Sequence, residues 1–191
     1  MTTPRGRIPD ANRPERRGAI LDAAVELFLV DGYASTSIDA VASRSSASKS
    51  TVYAYFDDKA GLFTAAIERL HNTIDDSVDD DAPLAAVAAA MVTNLLSDEA
   101  IGLHRLIIGE SQRFGALAQA FYDAGPERSI ERLLAPLRRS EPATTRADAE
   151  RLYSLLLGER HRRRLLGLEN APTSAQAVEH ANSVLRALGH A

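Results

Sequence analysis

The chain has 191 residues, of which 45% are hydrophobic and 25% are charged, the balance of a folded globular protein rather than a disordered one. It contains no cysteine, which excludes disulfides, thiolate metal sites and cysteine nucleophiles and fits a reducing compartment. The net charge of −4 does not by itself exclude a nucleic-acid partner, because residues 1–17 carry five arginines against two acids.

Two features predict a cytoplasmic location. The basic N-terminal residues are not followed by the apolar stretch of a signal peptide. The longest apolar run, residues 84–96, contains Thr93 and Asn94 and is too short to span a bilayer. We therefore expect a cytoplasmic protein with no membrane partner.

The hydrophobic pattern predicts an all-α protein, because apolar residues recur with helical spacing and no run alternates as a half-buried strand would. Residues 1–13 are rich in proline, glycine and arginine and are predicted to be a flexible basic arm. A first helix is predicted from about Pro14 to Val30, and Gly32 suits a left-handed C-cap. Its apolar stripe consists of Ile20, Ala23, Ala24, Leu27 and Phe28.

Three further helices are predicted before the middle of the chain. Thr36 is the predicted N-cap of a short second helix, with Asp39 completing a capping box. The stretch RSSAS ends that helix, and Ser48 is the predicted cap of a third helix that continues to Phe56. Asp57 or Asp58 is predicted to cap a longer fourth helix.

Beyond an acidic run at residues 75–81, the pattern predicts a second and larger helical bundle. Glycines and prolines at Gly115, Gly125, Pro142 and Pro172 separate several of its helices. Six segments are predicted, at about residues 84–97, 99–114, 116–122, 126–139, 147–168 and 174–188.

The stretch SASKSTVYAYF places small hydroxyls, a lysine and two tyrosines on one short helix. Two short helices joined by a tight turn form a helix-turn-helix, whose second helix lies in the major groove of DNA. Small hydroxyls allow close approach to the bases, and lysine and tyrosine reach phosphates or guanine edges. Lys59 lies in the first turn of the next helix, where the free backbone N–H groups also attract an anion.

These residues resemble the DNA-binding domain of the TetR family of bacterial transcriptional repressors. The resemblance covers about residues 14–70 and is carried by the pieces AAxxLF, GY, TS(I), (V)A, SKSTVYAYF and DKxxLF, in order and at the family's spacing. It implies a three-helix DNA-binding domain at residues 14–72 and a helical ligand-binding and dimerisation domain at residues 83–191. The residues that it implies at the DNA are Thr36, Ser37, Ser48, Lys49, Ser50, Thr51, Tyr53, Tyr55 and Lys59.

Three positions depart from the family's pattern. The family usually has glycine where this chain has Ser46 and a larger aliphatic residue where it has Ala47, which predicts a strained or differently shaped turn with looser packing beneath it. Ser50 also replaces a frequent glycine, which predicts altered base contacts.

The resemblance further implies a homodimeric repressor that a small-molecule effector releases from a palindromic DNA operator. The last two helices would pair with their copies across the dimer, with Leu185 in the interface. The candidates for an effector pocket are His104, Arg113, Phe114, Phe121 and Tyr122, and ordinary helix packing is the alternative for each of them.

Other functions stay open at this point. The bundle can be read as a small-molecule sensor or carrier that acts through a protein partner without binding DNA. An enzyme, a metal site and a cofactor are not expected, because neither G-x-S-x-G nor H-E-x-x-H occurs. His104 and His161 are interpreted as structural or surface histidines, and the arginines of residues 160–169 as a solvated helix face.

Overall fold

A computed structural model describes residues 13–79 and 81–190, without the side chains of residues 70, 71 and 73–77. The described residues form ten α-helices and one π-helix and contain no strand, which confirms the predicted all-α class. The predicted arm, residues 1–13, lies outside the described residues except for Arg13, at which α1 begins. The helices are α1 (Arg13–Ser35), α2 (Ile38–Arg44), α3 (Lys49–Phe56), α4 (Lys59–Ser77), α5 (Leu84–Leu95), α6 (Asp98–Glu110), α7 (Gly115–Tyr122), the π-helix (Asp123–Glu127), α8 (Arg128–Ser140), α9 (Arg146–Leu165) and α10 (Ser174–Leu188).

The chain divides into two compact units, of which the first ends at Ala66 and the second begins at Ile67. This boundary lies within α4, and the sequence has no proline or glycine between residues 62 and 77 to mark it. The domain limits at residues 72 and 83 therefore stay predictions drawn from the pattern and the resemblance.

An aromatic cluster forms the centre of the first unit. The rings of Phe28, Tyr33 and Phe63 contact each other with centroids 5.5–5.7 Å apart. Such stacked and edge-to-face contacts stabilise a core beyond the area that they bury. Four of the five residues of the predicted α1 stripe are buried with this cluster, and Leu27 is half-buried.

Gly32 interrupts α1 in the way that its residue type predicts. Its φ of 81° and ψ of 164° belong to a region that only glycine adopts readily. The regular helix therefore ends before Gly32, and the residues that follow form one more turn. This confirms the predicted glycine-dependent helix end, although the ψ value is not that of a left-handed helix.

The caps of the next helices agree with the sequence at two of three positions. Ser48 Oγ accepts a hydrogen bond from the Thr51 amide at 3.1 Å, as predicted. Asp58 Oδ1 accepts from the Gly61 amide at 2.7 Å and thus caps α4. The Thr36 prediction is wrong, because Ser37 caps α2 through a 3.1 Å hydrogen bond from the Ala40 amide.

A sharp γ-turn joins α3 to α4. Asp57 has a φ of 66° and a ψ of −59°, and the Asp58 amide donates to the Phe56 carbonyl at 2.7 Å. This form of γ-turn is rare and strained for a residue with a side chain. The aspartates at 57 and 58 are the whole connection between the two helices.

The core of the second unit lies between α5, α8, α9 and α10. Val87, Met91, Leu133 and Leu152 are fully buried in it. Leu185 belongs to the same core and is only 3% exposed, so the expectation that it lies in a dimer interface is wrong. Its side chain fills the inner face of α10 within its own chain.

Arg164 is a buried cation in the second unit and not part of a solvated face. Its guanidinium donates to the Leu96 carbonyl at 3.0 Å and to the Asp98 carboxylate at 2.6 Å. It also donates to the Glu169 carbonyl at 2.9 Å, so the end of α5 and the start of α6 are tied to the end of α9. The interpretation of residues 160–169 as a solvated face is therefore wrong at Arg164.

No single helix within the described ranges is long and apolar enough to cross a membrane. Only α5 and α6 taken together, across a bend of 62°, reach that length and apolar content.

Candidate nucleic-acid interface and effector cavity

A strained turn joins the two helices of the predicted motif. Ser46 has a φ of 53°, a left-handed value that costs an L-residue about 1–2 kcal/mol. The Ala47 amide still reaches the Ala42 carbonyl at 2.9 Å, so the turn closes the end of α2. The strain predicted from the missing glycine is thus confirmed.

One face of α3 is buried and the other is exposed. Val52 and Phe56 lie in the core, with 0% and 5% of their surface accessible. Ser48, Lys49 and Ser50 are exposed, and Tyr53 is 50% exposed. The helix is therefore held by its apolar side and presents its polar side outward.

Three hydroxyls cluster at the N-terminus of α3. Ser48 Oγ lies 2.8 Å from Ser50 Oγ and 2.7 Å from Thr51 Oγ1. Hydroxyls can donate to or accept from base edges and phosphates alike. The cluster lies where the positive end of the helix dipole adds to the attraction for a phosphate.

Lys49 and Asp39 form an ion pair that joins α3 to α2 on the exposed surface. Both side chains are more than half exposed, so the pair is screened by water and weak. Lys49 is thus occupied by an acid from the same motif.

Thr36, one of the nine residues implied at the DNA, is turned inward. Thr36 is 2% exposed, and its hydroxyl donates to the Gly32 carbonyl at 2.8 Å. Its side chain therefore stabilises the turn after α1 and is removed from direct contact with a ligand. The implied phosphate contact of the Thr36 side chain is corrected accordingly.

The Lys59 ammonium is held by backbone carbonyls of the first unit. It donates to the carbonyls of Tyr33, Ala34 and Thr36 at 2.8, 3.2 and 3.0 Å. It also lies 4.5 Å from the centroid of the Tyr33 ring, a cation–π contact. An ammonium has three donors, so these carbonyls engage all of them and leave none for a phosphate.

Two arginines of α1 lie against the aromatic residues of α3. The Arg13 guanidinium is 6.0 Å from the centroid of the Tyr55 ring, and that of Arg17 is 5.2 Å from Phe56. Both belong to the basic N-terminal surplus, but the sequence does not show which helix they meet. These two contacts bring positive charge from α1 next to α3.

The second unit contains a small, partly open cavity of about 40 Å³ between α6, α7, the π-helix and α9. That volume is enough for a few water molecules. A wider groove of about 570 Å³, open to solvent, runs along α5 and α10. The smaller cavity is lined by Ile67, Leu95, Ala100, Leu103, His104, Phe121, Gly125, Pro126, Tyr153, Leu157 and His161.

Two histidines form the polar part of the cavity wall. His104 Nδ1 and His161 Nε2 are 3.1 Å apart and share one hydrogen bond. Burial lowers the pKa of both rings, to about 4 for His161, where the nearby His104 adds to the effect. Both imidazoles are therefore neutral near pH 7. In the described part of the chain, no group of three or more His, Asp or Glu side chains is placed to hold a metal.

Of the five predicted pocket residues, His104 and Phe121 line this cavity, with their ring centroids 5.1 Å apart. Arg113, Phe114 and Tyr122 do not line it and are exposed. The sequence reading missed His161 and Tyr153, since the residues that bring them to His104 are distant in the chain. Both lie on α9, a long helix rich in charged residues, so the sequence contained no clear signal that they face a cavity.

Two family models match the chain. One, described as bacterial regulatory proteins of the tetR family, matches residues 20–66. The other, described as the C-terminal domain of AefR-like transcriptional repressors, matches residues 82–189.

Individual relatives match the chain in part or along most of its length. The HTH-type transcriptional activator FasR of Mycolicibacterium smegmatis is 40% identical over 57 residues, which are 30% of this chain and 26% of that protein. The DNA-binding transcriptional repressor TetR of Mycobacteroides abscessus is 37% identical over 65 residues, 34% of either chain. The chain thus spans about a quarter and a third of the lengths of these two relatives.

Among solved structures, the flavonoid-responsive regulator FrrA superposes with a TM-score of 0.69 at 28% sequence identity. The match covers 91% of this chain and 94% of that one, so the likeness extends through both units.

Proposed function

Since the chain belongs to the TetR family of bacterial regulatory proteins, we propose that it is a homodimeric repressor that binds a palindromic DNA operator and is released by a small-molecule effector. The observation that carries the proposal is the α3 surface, where hydroxyls, Lys49 and Tyr53 point outward from a buried apolar side. This proposed function requires no covalent chemistry. A cytoplasmic location is part of the same proposal.

This proposal assigns fewer residues to the DNA contact than the resemblance implies. Ser37, Ser48, Lys49, Ser50, Thr51, Tyr53 and Tyr55 remain as candidates to face DNA. Ser37 is exposed beside the start of α2, although its hydroxyl also caps that helix. Thr36 and Lys59 are assigned to hold the motif together, because their polar groups are already bonded within it.

A homodimer would place two copies of α3 on successive turns of one face of the DNA. The centres of two half-sites are then about 34–36 Å apart, and the operator shares the two-fold symmetry of the protein. Exposed apolar residues on the last two helices support a second copy at that surface. Leu155 on α9 is 42% exposed and Val178 on α10 is 47% exposed.

The second family model favours repression over activation, because it is described as the C-terminal domain of transcriptional repressors. The partial relatives include one activator and one repressor and do not decide between them. A chain that raises transcription from its operator would reverse this part of the proposal without removing DNA binding.

The effector would act by binding more tightly to the dimer that cannot hold DNA. Such coupling is typically about 1–3 kcal/mol and reciprocal, so DNA must weaken effector binding by the same factor. One similar structure is that of a regulator called flavonoid-responsive, which supports a small organic effector. We place the effector at the cavity that contains His104 and Phe121.

The direct test is selection of bound duplexes from a random pool by the full-length chain. We expect a recovered site with inverted half-sites, and binding that weakens steeply as salt rises. If no duplex is enriched even at low salt, the proposal fails and a carrier or sensor with a protein partner takes its place.

A further inference from the structure

We propose that the cavity of the second unit selects an aromatic effector that carries a neutral hydroxyl, which hydrogen-bonds to the His104–His161 pair. The regulatory role of this ligand rests on the proposed function. The binding of the ligand is argued from the geometry of the cavity alone.

The pair offers one donor and one acceptor whichever ring carries the shared proton. If His104 Nδ1 donates to His161 Nε2, then His104 Nε2 accepts and His161 Nδ1 donates outward. If the shared proton sits on His161, the two outward nitrogens exchange these roles. Among the described residues, neither of these two outer nitrogens hydrogen-bonds to another protein group. A hydroxyl, which both donates and accepts, is the smallest group that matches either arrangement.

The rest of the cavity wall argues for a neutral and largely apolar ligand. No lysine, arginine, aspartate or glutamate is among its lining residues. A carboxylate or an ammonium would lose its hydration there without a charged partner, which is costly. The Phe121 and Tyr153 rings, with Pro126 and the leucines, provide contacts that suit an aromatic ring.

The cavity is too small for an aromatic ligand unless its wall moves. A cavity that holds benzene in another protein has about 150 Å³, whereas this one has about 40 Å³. An aromatic ligand can therefore enter only if the wall moves. Phe121 packs against His104 near the end of α7, and Gly125 and Pro126 lie in the π-helix that follows, where the backbone departs from α-helical geometry. Single turns of π-helix of this kind occur often at functional sites.

The experiment compares each hydroxylated probe with its methyl ether. Calorimetric titrations of the full-length chain would use phenol, 2-naphthol and 7-hydroxyflavone, paired with anisole, 2-methoxynaphthalene and 7-methoxyflavone. The ether keeps the ring and an acceptor oxygen but removes the donor, so we expect at least one hydroxylated probe to bind about fivefold or more tighter than its ether.

Three variants assign the preference to the pair. His161→Phe keeps a ring of similar size and should abolish the hydroxyl preference, whereas His190→Phe, a histidine outside the cavity, should leave it unchanged. Circular dichroism shows whether each variant folds. Tyr153→Phe removes the tyrosine hydroxyl among the lining residues, and loss of the preference in this variant alone would assign the recognition to tyrosine and overturn the proposal.

The inference and the proposed function can fail separately. Equal affinity for hydroxyl and ether, a preference that survives in His161→Phe, or the absence of any binding among the six probes would overturn the inference, even in a chain that binds its operator. A chain that prefers the hydroxylated probes but enriches no duplex would retain the inference as a binding property and refute the DNA-binding function.

Discussion

The ammonium of Lys49 pairs with the carboxylate of Asp39, so the most prominent cation of the exposed α3 face is held by an acid of the neighbouring helix. A DNA phosphate has to replace this carboxylate before Lys49 can neutralise it. Asp39 also contributes a negative charge that repels the backbone of DNA. Within the proposed function, the pair therefore lowers affinity for any duplex.

Asp39→Asn should strengthen DNA binding. An exposed pair of this kind is worth up to about 1 kcal/mol, so we expect about a two- to fivefold gain for operator and unrelated duplexes alike at low salt. The slope of log affinity against log salt should steepen by about 0.9, as one more phosphate is neutralised. Fluorescence anisotropy across a salt series measures both quantities.

The matched control for this change is Glu26→Gln. It removes one negative charge from another exposed ion pair of the first unit, the one with Arg44, and leaves Lys49 paired. We expect a smaller effect and no change of slope. If Asp39→Asn and Glu26→Gln behave alike, the effect belongs to net charge and not to the Lys49 pair.

Ser46→Gly should stabilise the first unit. Glycine adopts the observed φ of 53° without steric cost, which outweighs its larger entropy in the unfolded chain. We expect a gain of about 0.5–1 kcal/mol, measured by urea unfolding or by hydrogen exchange of α2 amides. Ser43→Gly, within the regular part of α2, should instead destabilise, and a gain at both positions would point to a cause other than backbone strain.

Lys59→Met separates a positioning role from a phosphate contact. Losing the bonds to three backbone carbonyls should cost about 1–3 kcal/mol of stability and weaken binding to every duplex. Because the ammonium is engaged within the motif, the salt slope should stay unchanged. A slope reduced by about 0.9 would restore the phosphate contact that the family resemblance implies.

The pH dependence of stability should follow the cavity histidines. Burial lowers the pKa of His161 from 6.5 to about 4, so the unfolded chain takes up this proton first as the pH falls. The stability gained from the neutral ring is therefore complete above about pH 6.5 and is lost as the pH falls toward about 4. After allowance for partial solvent screening, His161→Gln should remove about 1 kcal/mol of the loss between about pH 7 and pH 5. Unfolding curves that shift equally with pH in wild type and variant would contradict this.

The dimer surface is best tested at Leu155. This side chain is exposed on α9, so Leu155→Glu should separate the dimer while helix content is kept, as sedimentation and circular dichroism would record. Ile108→Glu, at a still more exposed apolar residue of α6, should leave the dimer intact. Leu185→Glu buries a charge in the core and should cost more than about 3 kcal/mol, which unfolds the unit rather than dividing the dimer. An intact dimer in Leu155→Glu would place the interface elsewhere.

The features that the sequence predicted well depend on neighbouring residues. Helical periodicity and hydroxyl caps act over three or four residues, and α3, its Ser48 cap and the range of α10 were predicted correctly. The choice of Thr36 over Ser37 failed because two adjacent hydroxyls fit the same pattern. Only the kink at Gly32, which gives Thr36 an acceptor, decides between them.

The features that the sequence did not reveal depend on contacts between distant positions. Lys59 and its carbonyl partners are 23 to 26 residues apart, and His104 and His161 are 57 apart. Arg164 bonds to a carbonyl 68 residues away. The position of a cation on a helix predicts only that it is solvated. The groups that surround it are brought there by tertiary packing, which a single sequence does not contain.

The connection of Asp57 and Asp58 leaves no spare residue between α3 and α4, since one adopts the strained γ-turn and the other caps the next helix. An insertion or deletion here would break the γ-turn or move Asp58 away from the start of α4, so α3 would lose the position in which Val52 and Phe56 pack into the core. Within the proposed function, new operator preferences can therefore arise through substitutions along α3, whereas a change of length at this junction would displace the helix that carries them.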